Sequence, residues 1–374
     1  MAKAVYVGVG SKARKMKKAY IGIGGKARKV KKMYIGVGGK ARLCYSAELE
    51  KVGMAAALST TRYDMRAATV GKYALFAGGY ISKSSFGYSV SSSVDAYNTS
   101  LTKSTPTELS CKRCGHAAAS VGGYALFAGG ASSYNLLNFY ENLVSAVDAY
   151  DASLTRSAAH IIGATVAIGG AAVGNYALFA GGTVYSQINK DNVTSDVLAY
   201  DPSLTFTTAP LLSVARANVK GASAGNYALF AGGRADGFCT TVDAYNASLT
   251  RTTATALSST KNNSAAATVG NHAIFVGNTA SADIYDASLT KTSAAILSTA
   301  RMGLAATTVG DYAIFSGGGV ADFCDASLTR SSIGTSMTGY DMGAATIGDY
   351  ALFAGGHSGE KSDTAYDSVE VYTA

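Results

Sequence analysis

Five basic residues, Arg62, Arg113, Arg216, Lys261 and Arg301, each stand eleven positions before the residue that opens a recurring apolar run. Thr165 and Gly339 hold that register in two further copies. Cations gathered at one level hold carboxylates or phosphates, and a guanidinium does so through paired hydrogen bonds. Structural ion pairs resemble sites, so backbone carbonyls of a neighbouring copy would satisfy the same groups. A second set is aromatic. Tyr80, Phe86, Tyr88, Tyr134, Phe139, Tyr140, Tyr185 and Tyr366 lie in four long variable segments, 80–93, 131–146, 183–196 and 357–368, among Ser, Asn and Gly. Tyr offers a large rigid contact area, and Ser and Asn offer adaptable hydrogen bonds, as in recognition surfaces. The alternative is aromatic packing on the unit that carries each segment.

Other chemistry has little support. Of the four His, His272 replaces an anchor Tyr and reads as packing, and no paired carboxylates recur apart from a repeat Asp. Cys111-Lys-Arg-Cys114 supplies two of the four ligands that a structural zinc requires, and Cys44, Cys239 and Cys324 fall in other units. The Gly-rich runs precede basic strands rather than helices, which excludes a phosphate loop. We therefore assign no catalytic residue, metal or other cofactor.

The elements that position these residues come from a repeat. Tyr-Ala-Leu-Phe-Ala-Gly-Gly begins at Tyr73, Tyr124, Tyr176 and Tyr227, with variants at His272, Tyr312 and Tyr350, spaced by 51, 52, 51, 45, 40 and 38 residues. An Ala/Ser/Thr-rich run precedes each copy and ends in Gly-x, the signal of a two-residue hairpin turn. One such turn, Gly174-Asn175, interrupts the uncharged stretch 158–182, which excludes reading it as a membrane span. A third strand follows, as in Val94-Asp-Ala-Tyr97, and then Ser-Leu-Thr-Lys/Arg opens a fourth. The seventh unit stops after its third strand, and residues 44–59 contain an orphan fourth strand, at 48–58. A chain that lends its first strand to its last sheet removes exposed edges. The expected fold is all-β: a seven-bladed propeller over residues 44–374, with a closing blade of three C-terminal strands and one N-terminal strand.

Residues 1–43 form a separate head with a period of 14, as in Tyr20-Ile-Gly-Ile-Gly-Gly-Lys-Ala-Arg-Lys-Val-Lys-Lys. It reads as three small β units, too short to bury a core alone. The head holds 13 of the 32 basic residues and no acid, so the remaining 331 residues carry about −5 rather than the overall +8. The basic balance is a property of the appendage. An odd count of five Cys, and a start without an apolar leader, point to synthesis in a reducing cytoplasm without a signal peptide.

The large repeat resembles the kelch repeat, through its Gly-Gly pairs (Gly78-Gly79 to Gly355-Gly356), its Val-Asp-Ala-Tyr strand and its preceding basic residue. Kelch units usually open the fourth strand with Trp, and this chain has none. The resemblance implies a propeller whose basic residues lie on the ligand face near the central channel. The head is similar to short basic repeats on proteins of phages and prophages of Gram-positive bacteria. Together these imply a non-enzymatic, virion-associated binding protein, oligomeric in its assembly. Its propeller loops would recognise a host surface glycan or anionic polymer, and its head would dock to a virion or other protein assembly. The alternatives are a kelch-type carbohydrate-active enzyme, such as a sialic-acid mutarotase or oxidase, and a cytoplasmic adaptor whose basic head binds nucleic acid or an anionic membrane.

Overall fold

A computed structural model describes the chain except for residues 1–5, 10–11, 16–18, 24–25, 31, 38–39, 47, 85–86, 136–138, 188–189, 262–264 and 360–363. Runs rich in small residues, closed by Val or Ile in every copy except Lys220–Ala224, build the first strand of each large unit, and the apolar anchor builds the second. In Arg66–Val70 alternate residues are buried, whereas four successive residues of Tyr73–Ala77 are buried. The latter is the pattern of a strand covered on both faces. Gly71 takes φ 53° at the first turn position, as a two-residue hairpin of this kind requires. Strands Val94–Asn98 and Lys103–Ser104 complete the first antiparallel sheet, in register Val94↔Ala77 and Tyr97↔Lys103.

The same order of four antiparallel strands recurs at every anchor, from Tyr73 to Tyr350. We number these sheets one to seven in chain order. The stretch 158–182 contains the hairpin Gly169–Val173/Tyr176–Ala180. No helix of the described residues is long and apolar enough to cross a membrane. In sheet seven the fourth strand is Glu50–Met54, paired with Val369–Thr373 through Val371↔Gly53 and Tyr372↔Lys51. This strand is shorter than the expected 48–58. Residues 44–46 belong instead to the third head hairpin, Lys32–Val37/Lys40–Ser46. The other head hairpins are Tyr6–Val9/Lys12–Lys15 and Tyr20–Ile23/Lys26–Lys29.

Apolar clusters fill the gaps between consecutive sheets. Val121, Leu126, Phe179 and Tyr200 pack between sheets two and three, and Leu58, Phe76, Leu352 and Val371 between sheets one and seven. Polar bonds cross the same gaps. The Tyr97, Tyr150 and Tyr245 hydroxyls donate to the carbonyls of Ala56, Thr107 and Pro210 at 2.7, 2.8 and 2.8 Å. Along the first strands, Ser120 donates its hydroxyl to the Thr69 carbonyl and Ser223 to that of Ala172, each at 2.7 Å. Thr268, Thr308 and Thr346 donate likewise to Ser223, Thr268 and Thr308, and Thr69 donates to Thr346 at 2.7 Å. The first strand of sheet seven packs against that of sheet one. The arrangement is β-propeller-like.

Each Ser-Leu-Thr turn is fixed by an Asx contact. Asp151 accepts the Ser153 and Thr155 N–H groups at 2.8 and 2.9 Å and holds Leu154 at φ 66°. A left-handed Leu costs on the order of 1–2 kcal/mol, and these hydrogen bonds offset it.

Candidate binding site at the axial mouth

The repeated cations are not exposed. Arg62, Arg113 and Arg216 are fully buried, Lys261 is buried, and Arg301 is largely so. Each forms an ion pair with the third-strand carboxylate of its own sheet: Asp95, Asp148, Asp243, Asp283 and Asp322. Arg62 also donates to the carbonyls of Gly78 and Ser93 at 3.1 and 2.7 Å. Arg216 donates to those of Gly232 and Phe230 at 2.9 and 3.1 Å. Burial pushes the Arg62 and Arg301 guanidiniums down from their ordinary value, while the paired carboxylates oppose the shift. The expectation of an open cationic ring is therefore corrected. The carbonyls belong to the same sheet rather than a neighbour, and the carboxylate occupies the position a ligand would take.

Each carboxylate is further bound. Ser59 gives Asp95 its N–H and hydroxyl at 3.1 and 3.0 Å, and Ser110, Ser213, Ser258 and Ser298 bind their own Asp in the same way. A fourth-strand cation approaches from the outer side: Lys103 at 3.7 Å, Arg156 at 2.8 Å and Arg251 at 2.9 Å. The result is a clamp that ties the crossing segment to the sheet it enters. Sheet seven uses Glu370, held by Lys51 of the N-terminal strand, the Ser336 N–H at 2.9 Å and the Tyr372 hydroxyl at 2.7 Å. Burial opposes ionisation of Glu370, but Lys51, Thr335, Ser336 and Tyr372 outweigh it and hold the carboxyl below its ordinary value.

The aromatic segments form hairpins. Tyr80–Ser84/Gly87–Val90 and Ala131–Asn135/Phe139–Leu143 join edge to edge through Gly87↔Asn135 and Tyr88↔Tyr134. Together they make a small sheet above sheets one and two. A third hairpin, Thr183–Gln187/Lys190–Val193, rises from sheet three. Tyr80 is buried, against the expectation of a surface contact, and packs on Tyr63 at 5.2 Å and Tyr88 at 5.3 Å. Tyr88 and Tyr134 are partly buried and meet edge-on at 5.2 Å. Phe139, Tyr140 and Tyr185 stand in the hairpin strands, and Phe86 lies outside the described residues. Tyr366 is half-buried against Gly339, where a Cβ would stand 3.2 Å from its ring.

Beside Tyr63 and Tyr80 a cavity of about 230 Å³ opens among Asp64, Arg66, Gly115, Ala167, Asn218, Lys220 and Asp341. Several wall residues share one conformation. Asp64, Gly115, Ala167, Asn218, Gly303 and Asp341 all have φ between 51° and 64°, and Asn218 donates its N–H to the Ala167 carbonyl at 2.8 Å. Arg66 and Lys220 open the first strands of sheets one and four, where other sheets carry Ala117, Gly169, Ala265, Ala305 or Gly343. Two cations at a register otherwise reserved for small residues were the signal that sequence reading missed. Arg66 binds Asp64 at 2.6 Å and the His116 carbonyl at 2.9 Å, and His357 Nε2 lies 3.0 Å from Asp341. Further along the same strands a second cavity of about 400 Å³ is lined by Ala, Gly, Ser and Thr alone. The mouth can therefore offer charge and aromatic edges, whereas the interior can offer only hydroxyls, methyls and backbone.

Two other candidates lie in the core. Cys114 is buried and its thiol is pushed up to about 12 by burial. His116 is fully buried with no hydrogen-bond partner on either ring nitrogen. Burial, with Arg113 and Arg66 adding like charge, pushes it well below its ordinary value. No protein-family model and no curated protein matches the chain.

Proposed function

We propose that the chain is a seven-bladed, kelch-type propeller closed by Glu50–Met54, and that it acts as a rigid, non-enzymatic binding scaffold. Its ligand is a surface glycan or related polymer, held where the hairpins of sheets one to three border the axial mouth. The head, whose third hairpin runs to Ser46, docks the protein to a larger assembly, a virion in the reading that its basic repeats suggest. The observation that carries this proposal is the asymmetry of the crown. Long segments on a rigid scaffold commonly carry function, and here three adjacent sheets raise hairpins while sheet six turns at Gly318-Gly319.

Screening the full chain against a panel of glycans and anionic polymers tests this reading. We expect selective binding that Tyr88→Ala with Tyr134→Ala weakens by about 1–3 kcal/mol per hot-spot residue. Both rings are partly buried, so the same changes also lower thermal stability. A panel without selective binders, or binding indifferent to both substitutions, would overturn the assignment.

A further inference from the structure

Lys220 is half-buried and lines the mouth cavity, yet its side chain makes no hydrogen bond or ion pair among the described residues. The acids in the same wall are engaged elsewhere: Asp64 with Arg66, and Asp341 with His357. Burial pushes the Lys220 ammonium down from its ordinary value and Arg66 adds to this, while Asp64 and Asp341 oppose it. A partly desolvated ammonium without a direct hydrogen-bond partner carries a cost, and an incoming anion would relieve it. The cavity, at about 230 Å³, falls below the roughly 300–1,000 Å³ of sites for drug-sized ligands. It suits one sugar ring or one chain end. Asp64 and Asp341 in the wall would repel a dianion, so a single negative charge matches better than a phosphate monoester.

We propose that the mouth cavity binds one carboxylate-bearing sugar residue, with Lys220 supplying the counter-charge and Arg66, Asn218, Tyr63 and Tyr80 forming the wall around it. This deepens, and rests on, the reading of this face as the ligand face. The aromatic edges meet the apolar C–H surface of the ring. Asn218 and the acids meet its hydroxyls. The wall is set by the left-handed backbone positions described above, so the site requires little rearrangement.

The test is calorimetric titration of the full chain with D-glucuronate, its neutral counterpart D-glucose, and glucose 6-phosphate. Glucuronate is expected to bind most tightly. Lys220→Met should weaken it on the order of tenfold or more, the scale of one charged hydrogen bond, and Lys220→Arg should retain part of the affinity. Lys220→Ala serves as the second variant, because Ala117, Ala265 and Ala305 already occupy this register. A melting curve confirms that each variant folds. Glucuronate binding unchanged in folded Lys220→Met or Lys220→Ala overturns the site, as does tighter binding of the phosphate or no saturable binding of glucuronate. If the site fails while the glycan panel stays positive, the binding-scaffold reading survives. If Lys220-dependent glucuronate binding appears beside a blank panel, the site stands and the glycan reading falls.

Discussion

Sheets one and three solve the same packing problem with opposite chemistry. Sheet one buries Arg62 against Asp95, with Lys103 outside and Ser59 bound to the same carboxylate. Sheet three carries Thr165, Leu198, Phe206 and Gly163 at the corresponding places, and Phe206 stacks on His160 at 4.5 Å. Both cations are absent where the acid is absent. That joint replacement shows what the clamp is for. A buried ion pair tolerates loss of the whole set far better than loss of one member. The repeated Arg is thus a structural partner of the repeated Asp, and the cations of the cavity wall, Arg66 and Lys220, lie outside the repeat's own pattern.

The largest effect is expected from breaking the clamp in half. Asp95→Leu leaves Arg62 buried without its carboxylate and should cost about 3–5 kcal/mol. Installing the sheet-three set, Arg62→Thr with Asp95→Leu and Lys103→Phe, should recover most of that loss. Denaturant midpoints of the two proteins decide it, and a triple variant as unstable as the single would remove the case for a clamp.

His116 offers a smaller effect of opposite sign. Met65 and Met342 hold its register in sheets one and seven, so His116→Met should raise stability by about 1–3 kcal/mol by removing an unsatisfied buried group. The pH dependence follows from its lowered pKa. Below about 6.5 the unfolded chain gains a proton that the folded imidazole refuses, so stability falls as pH drops through that range. Melting temperatures from pH 8 to 5 should show this slope in the parent and a shallower one in His116→Met. Parallel slopes would contradict the assignment.

The smallest effect belongs to the outer cation. Lys103 is partly exposed and 3.7 Å from Asp95, so Lys103→Met should change stability by no more than about 1 kcal/mol, with the difference fading in salt. A larger loss in the same denaturant assay would mean that the outer cation is integral to the clamp.

Much of this architecture was legible because the repeat declares it. The anchors, the Gly-x turns and the third-strand pattern fall where the strands fall, and the missing last strand pointed to Glu50–Met54. The hairpins in 80–93 and 131–146 were not legible, because strands such as Ala131–Asn135 are held by edge-to-edge pairing rather than by an alternating apolar face. Pairing of Arg62 with backbone carbonyls was legible as an alternative, but its carboxylate partner was hidden for a different reason. A lone sequence position reads as exposed when charged, and only comparison with Thr165, Leu198 and Phe206 reveals the partners that make burial affordable. Lys220 was overlooked because the repeat was read for what its copies share, and this residue stands where they differ.

One measurement bears most directly on the division between scaffold and site. Two folded variants, the sheet-three transplant in sheet one and Tyr88→Ala with Tyr134→Ala, are compared in a single binding assay against the best ligand of the glycan panel. The account predicts that the transplant binds within about twofold of the parent, since it leaves the crown and mouth intact, while the tyrosine variant loses on the order of tenfold or more. Loss of binding in the transplant with retention in the tyrosine variant would contradict it, and would return the repeated cations to the ligand.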